Sequence, residues 1–115
     1  MSRLLKERNE ETRLDLIFHA LADGTRRRLL ARLTEGPAMI GELAAPFAMS
    51  RPAISKHLRV LEAARLVSRV KEGRIQICAF EPASLRSVEA WLNRYRIFWD
   101  ESLERLSKYM EKGDD

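Results

Sequence analysis

Between Ser50 and Leu61 the sequence SRPAISKHLRVL sets two opposed chemistries at helical spacing, and only a helix lying between a core and an outward face satisfies both. At ~100° per residue, Ile54, Leu58 and Leu61 fall within about 60° of one another, while Ser55, Arg59, Pro52 and Lys56 lie on the far side. The apolar stripe is core. The other face carries two cations and a hydroxyl without an intervening carboxylate, the composition needed by a helix that lies in a DNA major groove. Ser50 supplies an N-cap, and Pro52 sits in the first turn, where its missing N–H costs little.

Upstream, Leu14, Ile17, Phe18 and Leu21 repeat at helical spacing and predict a first core helix from about Glu10 to Ala22, with a polar, fraying start as early as Leu4. Asp23 caps a second helix whose Leu29, Leu30 and Leu33 face inward until Gly36-Pro37 stops it. Ile40, Leu43, Ala44 and Phe47 form a third apolar set, with Pro46 ending regular helix near Ala45. A short helix, a turn and a capped longer helix over 50–64 is helix-turn-helix order.

After Ala64 the period changes from helical to alternating, which predicts a β-hairpin over 66–80. Taking Glu72-Gly73 as a two-residue turn pairs Lys71 with Arg74, Arg69 with Gln76 and Val67 with Cys78 on one face. The other face collects Leu66, Val70, Ile75, Ile77 and Ala79 and is expected to lie against the domain, leaving a basic tip to straddle a nucleic-acid backbone. The like charges of Lys71 and Arg74 would then be mildly unfavourable without an anion nearby.

The remaining segment, about 83–112, reads as one long helix. Leu85, Val88, Leu92, Tyr95, Trp99, Leu103, Leu106 and Met110 recur at alternating threes and fours, and Trp91 and Phe98 widen the seam. Two tryptophans on a stripe extending beyond a domain of this size are costly to leave in water, so the helix is expected to pair with a second chain; the alternative is a helix lying wholly on its own domain.

Charge is uneven. The segment Ser50 to Arg74 holds Arg51, Lys56, Arg59, Arg65, Arg69, Lys71 and Arg74 against Glu62 and Glu72, a local +5 in a chain whose total is +4. That is the footprint of a polyanion partner, or of an ordinary solvated surface. The 115 residues, 45% of them hydrophobic, suffice for one domain with one core (about 14–81) plus the terminal helix. No apolar run approaches the ~20 residues of a membrane span. No export signal marks the start and the single Cys78 forms no internal disulfide, so the expected location is the cytoplasm. There is no glycine-rich phosphate loop, no nucleophile at recognisable spacing from a base and no paired carboxylates, and no enzyme is expected.

These motifs together resemble a known family. Leu21-Ala22-Asp23-Gly24-Thr25-Arg26-Arg27-Arg28-Leu29-Leu30, then Glu42-Leu43-Ala44, then the run Ser50 to Leu61, are similar to the ArsR family of winged-helix transcriptional regulators, over nearly the whole chain. The resemblance implies an α+β, mostly helical winged helix-turn-helix with N- and C-terminal dimerisation helices. It implies a homodimeric repressor on a two-fold-symmetric operator of double-stranded DNA, with Ser50, Arg51, Ser55, Lys56, His57 and Arg59 at the groove and Arg69, Lys71 and Arg74 on the wing. Leu85 to Leu106 along the terminal seam would pair the chains. The family's metal sensors place cysteines before the recognition helix, or carboxylates and histidines on the terminal helix. Here the first place reads Ile40-Gly41-Glu42-Leu43-Ala44-Ala45 and the second has no histidine, so no metal or other cofactor is expected. The inducing signal is a small organic molecule, a partner protein that occupies the dimer, or no ligand at all. The rival reading is a winged helix used as a protein-interaction module without DNA binding.

Two positions depart from the family pattern: Arg65 stands where glycine is usual, at a place suited to a left-handed residue, and Gly24 replaces proline after Asp23. His57 suits a packing or phosphate-contact role, and His19 a core edge or dimer contact. Cys78 is an inert filler or a redox switch, and Arg26, Arg27 and Arg28 are a solvated helix start or a phosphate contact.

Overall fold

The computed structural model describes residues 2–113, and its compact units divide between Leu85 and Arg86. In the first unit, α1 (Ser2–Leu21) and α2 (Gly24–Leu33) lead to a short strand β1 (Ala38–Met39), α3 (Ile40–Ala44) with a 3-10 turn over Ala45–Phe47, α4 (Arg51–Ala63), and strands β2 (Val67–Glu72) and β3 (Ile75–Phe80). A 3-10 turn at Pro82–Ser84 precedes α5 (Leu85–Gly113). α1 is regular from Ser2, well before the expected Glu10; its core contribution begins later, with Ile17 and Ala20 fully buried.

Local signals account for the helix ends. Asp23 accepts from Arg26 N at 3.0 Å and caps α2, and Ser50 Oγ accepts from Ala53 N at 3.3 Å and caps α4. The far end of α4 closes by a Schellman pair, Leu66 N to Leu61 O at 3.0 Å and Arg65 N to Glu62 O at 2.9 Å, with Leu61 and Leu66 both buried beneath it. Arg65 takes φ 57°, the left-handed conformation expected of that position, and Ser84 Oγ donates to its carbonyl at 2.7 Å. Ile54, Leu58 and Leu61 meet Leu29, Leu33 and Leu43 in a single core, as the α4 stripe requires.

The sheet differs from the expected hairpin in three ways. β1 adds a third strand, so that the order is β1-β3-β2, all antiparallel, with Ala38 opposite Cys78 and Met39 opposite Ile77. The turn is Gly73-Arg74, not Glu72-Gly73, so Lys71 pairs with Gln76, Arg69 with Cys78 and Val67 with Phe80. Gly73 carries φ 61° at the first turn position, and Arg74 does not have positive φ, the sign pattern of a II′ turn. A I′ turn on Glu72-Gly73 would have forced Glu72 left-handed at a cost of ~1–2 kcal/mol. The like-charge pair of Lys71 and Arg74 therefore does not form.

The third difference is which face is buried. The two-residue shift in register preserves face membership, but the face against the helices is that of Val67 and Cys78, while Val70 and Ile75 are outward at 54% and 49% exposure. Arg69 shares the inner face, and this placement reorganises the site described below.

α5 forms the second unit, and none of its described residues is fully buried. Its seam is open along much of its length: Phe98 and Trp99 are each 62% exposed, and Leu92, Tyr95, Leu103, Leu106 and Met110 are all about half exposed or more. Trp91 and Tyr95 stack at 5.0 Å between ring centroids, a tilted i, i+4 pair.

Candidate nucleic-acid interface

An open groove of about 780 Å³ runs between the start of α3, the outward face of α4 and the β2–β3 hairpin. Three guanidinium groups line it: Arg51 and Arg59 from α4, Arg74 from the hairpin turn. Pro52, Ser55, Gln76, Ile75 and Met39 also line it, as does Glu42, whose carboxylate accepts from Met39 N at 3.2 Å. The Arg51 guanidinium lies over Gly41; a Cβ there would meet it at 2.9 Å.

The helix spacing explains the convergence. Arg51, Ser55 and Arg59 are four apart and so stack along one side of α4, flanking the stripe of the buried Ile54, Leu58 and Leu61. A concave surface rimmed by three cations and floored by apolar and amide groups can hold a polyanionic backbone while offering donors to its bases. Lys56 and Lys71 are exposed beside this groove but do not line it, and Ser50 is exposed at the N-terminus of α4, where backbone N–H groups face outward.

Two residues expected on this surface are turned inward. His57 Nδ1 is 3.4 Å from Arg26 Nη1 and 3.8 Å from Asp23 Oδ2, so the ring joins α4 to the start of α2. Arg69 Nε donates to Glu62 Oε1 at 2.6 Å, Nη1 donates to Ser55 Oγ at 3.0 Å and to Gln76 Oε1 at 3.1 Å, and Nη2 donates to the Ser55 carbonyl at 3.3 Å. The physical reason is the buried face: Arg69 shares it with Val67 and Cys78, and a guanidinium there requires partners.

The arginine run after Asp23 is equally engaged. Arg26 donates to the Ala20 and His19 carbonyls at 2.7 and 2.8 Å, and Arg27 to the Leu21 carbonyl at 2.6 Å, so these two close the C-terminus of α1. The Arg28 guanidinium stands 5.6 Å over the Phe47 ring. Neither the solvated-surface nor the phosphate-contact reading foresaw this; the signal was the position of the run just after the end of α1, among unpaired carbonyls.

Asp23 is held below the ordinary aspartate range, chiefly because its carboxylate accepts the Arg26 N–H, with the Arg26 and His57 charges adding to the effect against desolvation. Burial pushes the Cys78 thiol up and so disfavours the thiolate, an effect partly offset by the positive charge of Arg69. Among the described residues no three of His, Cys, Asp and Glu come together as a metal cluster, and no helix is long and apolar enough to cross a membrane.

Sequence reasoning missed Met39, Ile75 and Gln76 as groove residues. Ile75 and Gln76 follow from the turn at Gly73-Arg74, which a II′ preference for glycine in the first position could have indicated.

Comparison with known proteins adds an independent line. A helix-turn-helix domain family model matches residues 21–70, the segment from the end of α1 into the first hairpin strand. The chain is 40% identical over 102 residues to the HTH-type transcriptional regulator Rv2034 of Mycobacterium tuberculosis, covering 88% of this chain and 92% of that relative. It is 32% identical over 76 residues to the transcriptional repressor SdpR of Bacillus subtilis, covering 66% of this chain and 84% of the relative. The crystal structure of an ArsR family transcriptional regulator superimposes with a TM-score of 0.74 at 43% identity, covering 78% of this chain and 93% of that one. With the groove, the mostly helical fold and the hairpin in place, these matches show that the chain is a member of the ArsR family of winged helix-turn-helix transcriptional regulators, and hence a DNA-binding regulator of transcription.

Proposed function

We propose that the protein is a cytoplasmic homodimeric repressor, a single functional domain that binds a two-fold-symmetric operator with α4 in the major groove and the hairpin on the flanking backbone. The observation that carries this reading is the convergence of Arg51, Arg59 and Arg74 on one groove between α4 and the hairpin. Ser50 and the first turn of α4 offer N–H groups to a phosphate, Ser55 and Arg59 approach base edges, and Lys56, Lys71 and Arg74 neutralise backbone charge. Repression follows if the bound dimer excludes polymerase, and the relative named as a transcriptional repressor supports that direction.

Pairing rests on α5. Seven large apolar side chains of the seam, Leu92, Tyr95, Phe98, Trp99, Leu103, Leu106 and Met110, stand about half exposed or more. Burying their remaining area in a symmetric pair would contribute on the order of 10–20 kcal/mol, against an association cost of about 4–15 kcal/mol. A dimer at micromolar concentration needs a surplus of about 8 kcal/mol, which the upper part of the burial range supplies. Two-fold symmetry would then place half-sites one helical turn or a multiple apart.

A gel-shift assay with a duplex from the chain's own upstream region, at two salt concentrations, tests the reading. A shift that weakens with salt and is lost with Arg59→Ala is expected; no binding at low salt would favour a protein-interaction module instead. Sedimentation tests the pairing, and a stable monomer at micromolar concentration would overturn it.

A further inference from the structure

The Arg69 side chain is only 18% exposed, and its guanidinium donors reach acceptors on two other elements: Glu62 and Ser55 on α4 and Gln76 on β3. Ser55 and Glu62 lie seven residues, about two turns or ~10 Å, apart along one side of α4. Arg69 therefore braces the hairpin along α4 at two points, and no ammonium group could reproduce that planar fork.

Two chemical consequences follow. Glu62 is the carboxylate on α4, and its ion pair at 2.6 Å removes both its repulsion toward a polyanion and the net charge of Arg69. Ser55 Oγ and Gln76 Oε1 both accept from Nη1 of Arg69. Both residues also line the groove; one lone pair of each oxygen is engaged by a cation, and the hydroxyl proton of Ser55 and the NH₂ of Gln76 are the donors they keep free. With its oxygen engaged and its plane fixed by Arg69, Gln76 is less free to turn into the two-point contact that an amide makes to adenine N6 and N7.

Resting on the proposed DNA-binding reading, we infer that Arg69 is a positioning residue and not a DNA contact: it locks the hairpin to α4 and sets Ser55 and Gln76 as donors. This favours operator base edges that present acceptors to them, guanine O6 and N7, thymine O4 or adenine N7, over cytosine, whose N4 is a donor.

The test uses the full-length protein and selection from a random-sequence duplex library, followed by titration of the selected duplex and a scrambled one. Arg69→Lys keeps the charge but loses the fork, so it should lose on the order of tenfold in affinity for the selected duplex, as should Arg69→Met. Glu62→Ala should also weaken binding, although it removes an anion beside DNA, and Arg69→Met with Glu62→Ala should be no worse than the weaker single variant. The ratio of selected to scrambled affinity should fall in each. Libraries selected with Arg69→Met should admit cytosine at positions where the wild type selects an acceptor-bearing base.

Rescue by Arg69→Lys, tighter binding by Glu62→Ala, or unchanged base preference with Arg69→Met would each overturn the inference. Melting curves confirm that the variants are folded, and Glu62→Ala, a substitution to a good helix former, keeps the test decisive if an Arg69 variant does not fold. Arg59→Ala separates the two levels. If it binds normally, the groove reading itself fails; if it binds weakly while Arg69→Lys binds normally, only the role of Arg69 is refuted.

Discussion

Arg65→Gly should make this protein more stable, and the backbone after α4 gives the magnitude. Arg65 holds φ 57° at the C′ position of a Schellman motif, its N–H bonded to Glu62 O and its carbonyl accepting from Ser84. The left-handed conformation costs a side-chain-bearing residue ~1–2 kcal/mol, and glycine removes that cost while adding ~0.5–1 kcal/mol of chain entropy lost on folding. The exposed guanidinium makes no hydrogen bond or ion pair among the described residues that would offset this. A net gain of about 0.5–1 kcal/mol should raise Tm by about 2–6 °C for a chain of this size.

The assay is thermal unfolding followed by circular dichroism at one fixed protomer concentration, because a dimer's Tm depends on concentration. Arg65→Ala is the control: it shortens the side chain, keeps the strain and should lie within ~0.5 kcal/mol of wild type. A glycine variant no more stable than the alanine variant would show that the strain is absent or relieved by other means. Affinity for DNA should be unchanged, since Arg65 lies outside the groove between α4 and the hairpin.

Ala48, at φ 50° in the turn between α3 and α4, should behave similarly, so Ala48→Gly or Ala48→Asn should raise Tm by a few degrees; a loss of stability with both would refute the backbone argument. Asp23 has its folded pKa depressed below the ordinary value of 3.8, so its contribution to stability is present above that value and lost as pH falls through it toward the folded pKa. Asp23→Asn, which preserves a capping oxygen, should therefore flatten the acid limb of a stability-versus-pH curve while leaving neutral-pH stability nearly unchanged. Cys78 is fully buried with a raised pKa, so a thiol reagent should label the native protein only at the rate of opening, and fast labelling in native buffer would revive a redox role. The salt dependence of operator binding by the dimer should have a slope no steeper than about −9, from Arg51, Lys56, Arg59, Lys71 and Arg74 on each chain; a clearly steeper slope would bring Arg69 back as a phosphate contact.

What the sequence showed and what it concealed divide along a physical line. The α4 stripe, both caps, the stop at Gly36-Pro37 and the end of α3 at Pro46 are local effects, and each lies where the residues place it. The hairpin was legible as a hairpin, and even its two faces were sorted correctly, because a register error of two residues leaves the alternation intact. Which face is buried was not legible, since each mixes apolar and polar residues. It depends on contacts distant in sequence, such as Ala38 opposite Cys78, and a two-residue strand like Ala38–Met39 has too few residues to show a period. Charge misled in the same way. Counting cations treats each as available to a partner, yet Arg26, Arg27 and Arg69 are held by backbone carbonyls or a carboxylate, and Arg28 stands over an aromatic ring. Arginine in particular breaks the count, because its five donors can brace two elements where a lysine would remain solvated. The lysines Lys56 and Lys71 are exposed where the sequence put them, while the arginines divide according to whether unpaired carbonyl or carboxylate oxygens lie within reach. A basic segment in a small domain is therefore better read in two steps: first the acceptors its arginines can satisfy inside the fold, and then the charge left over for a partner.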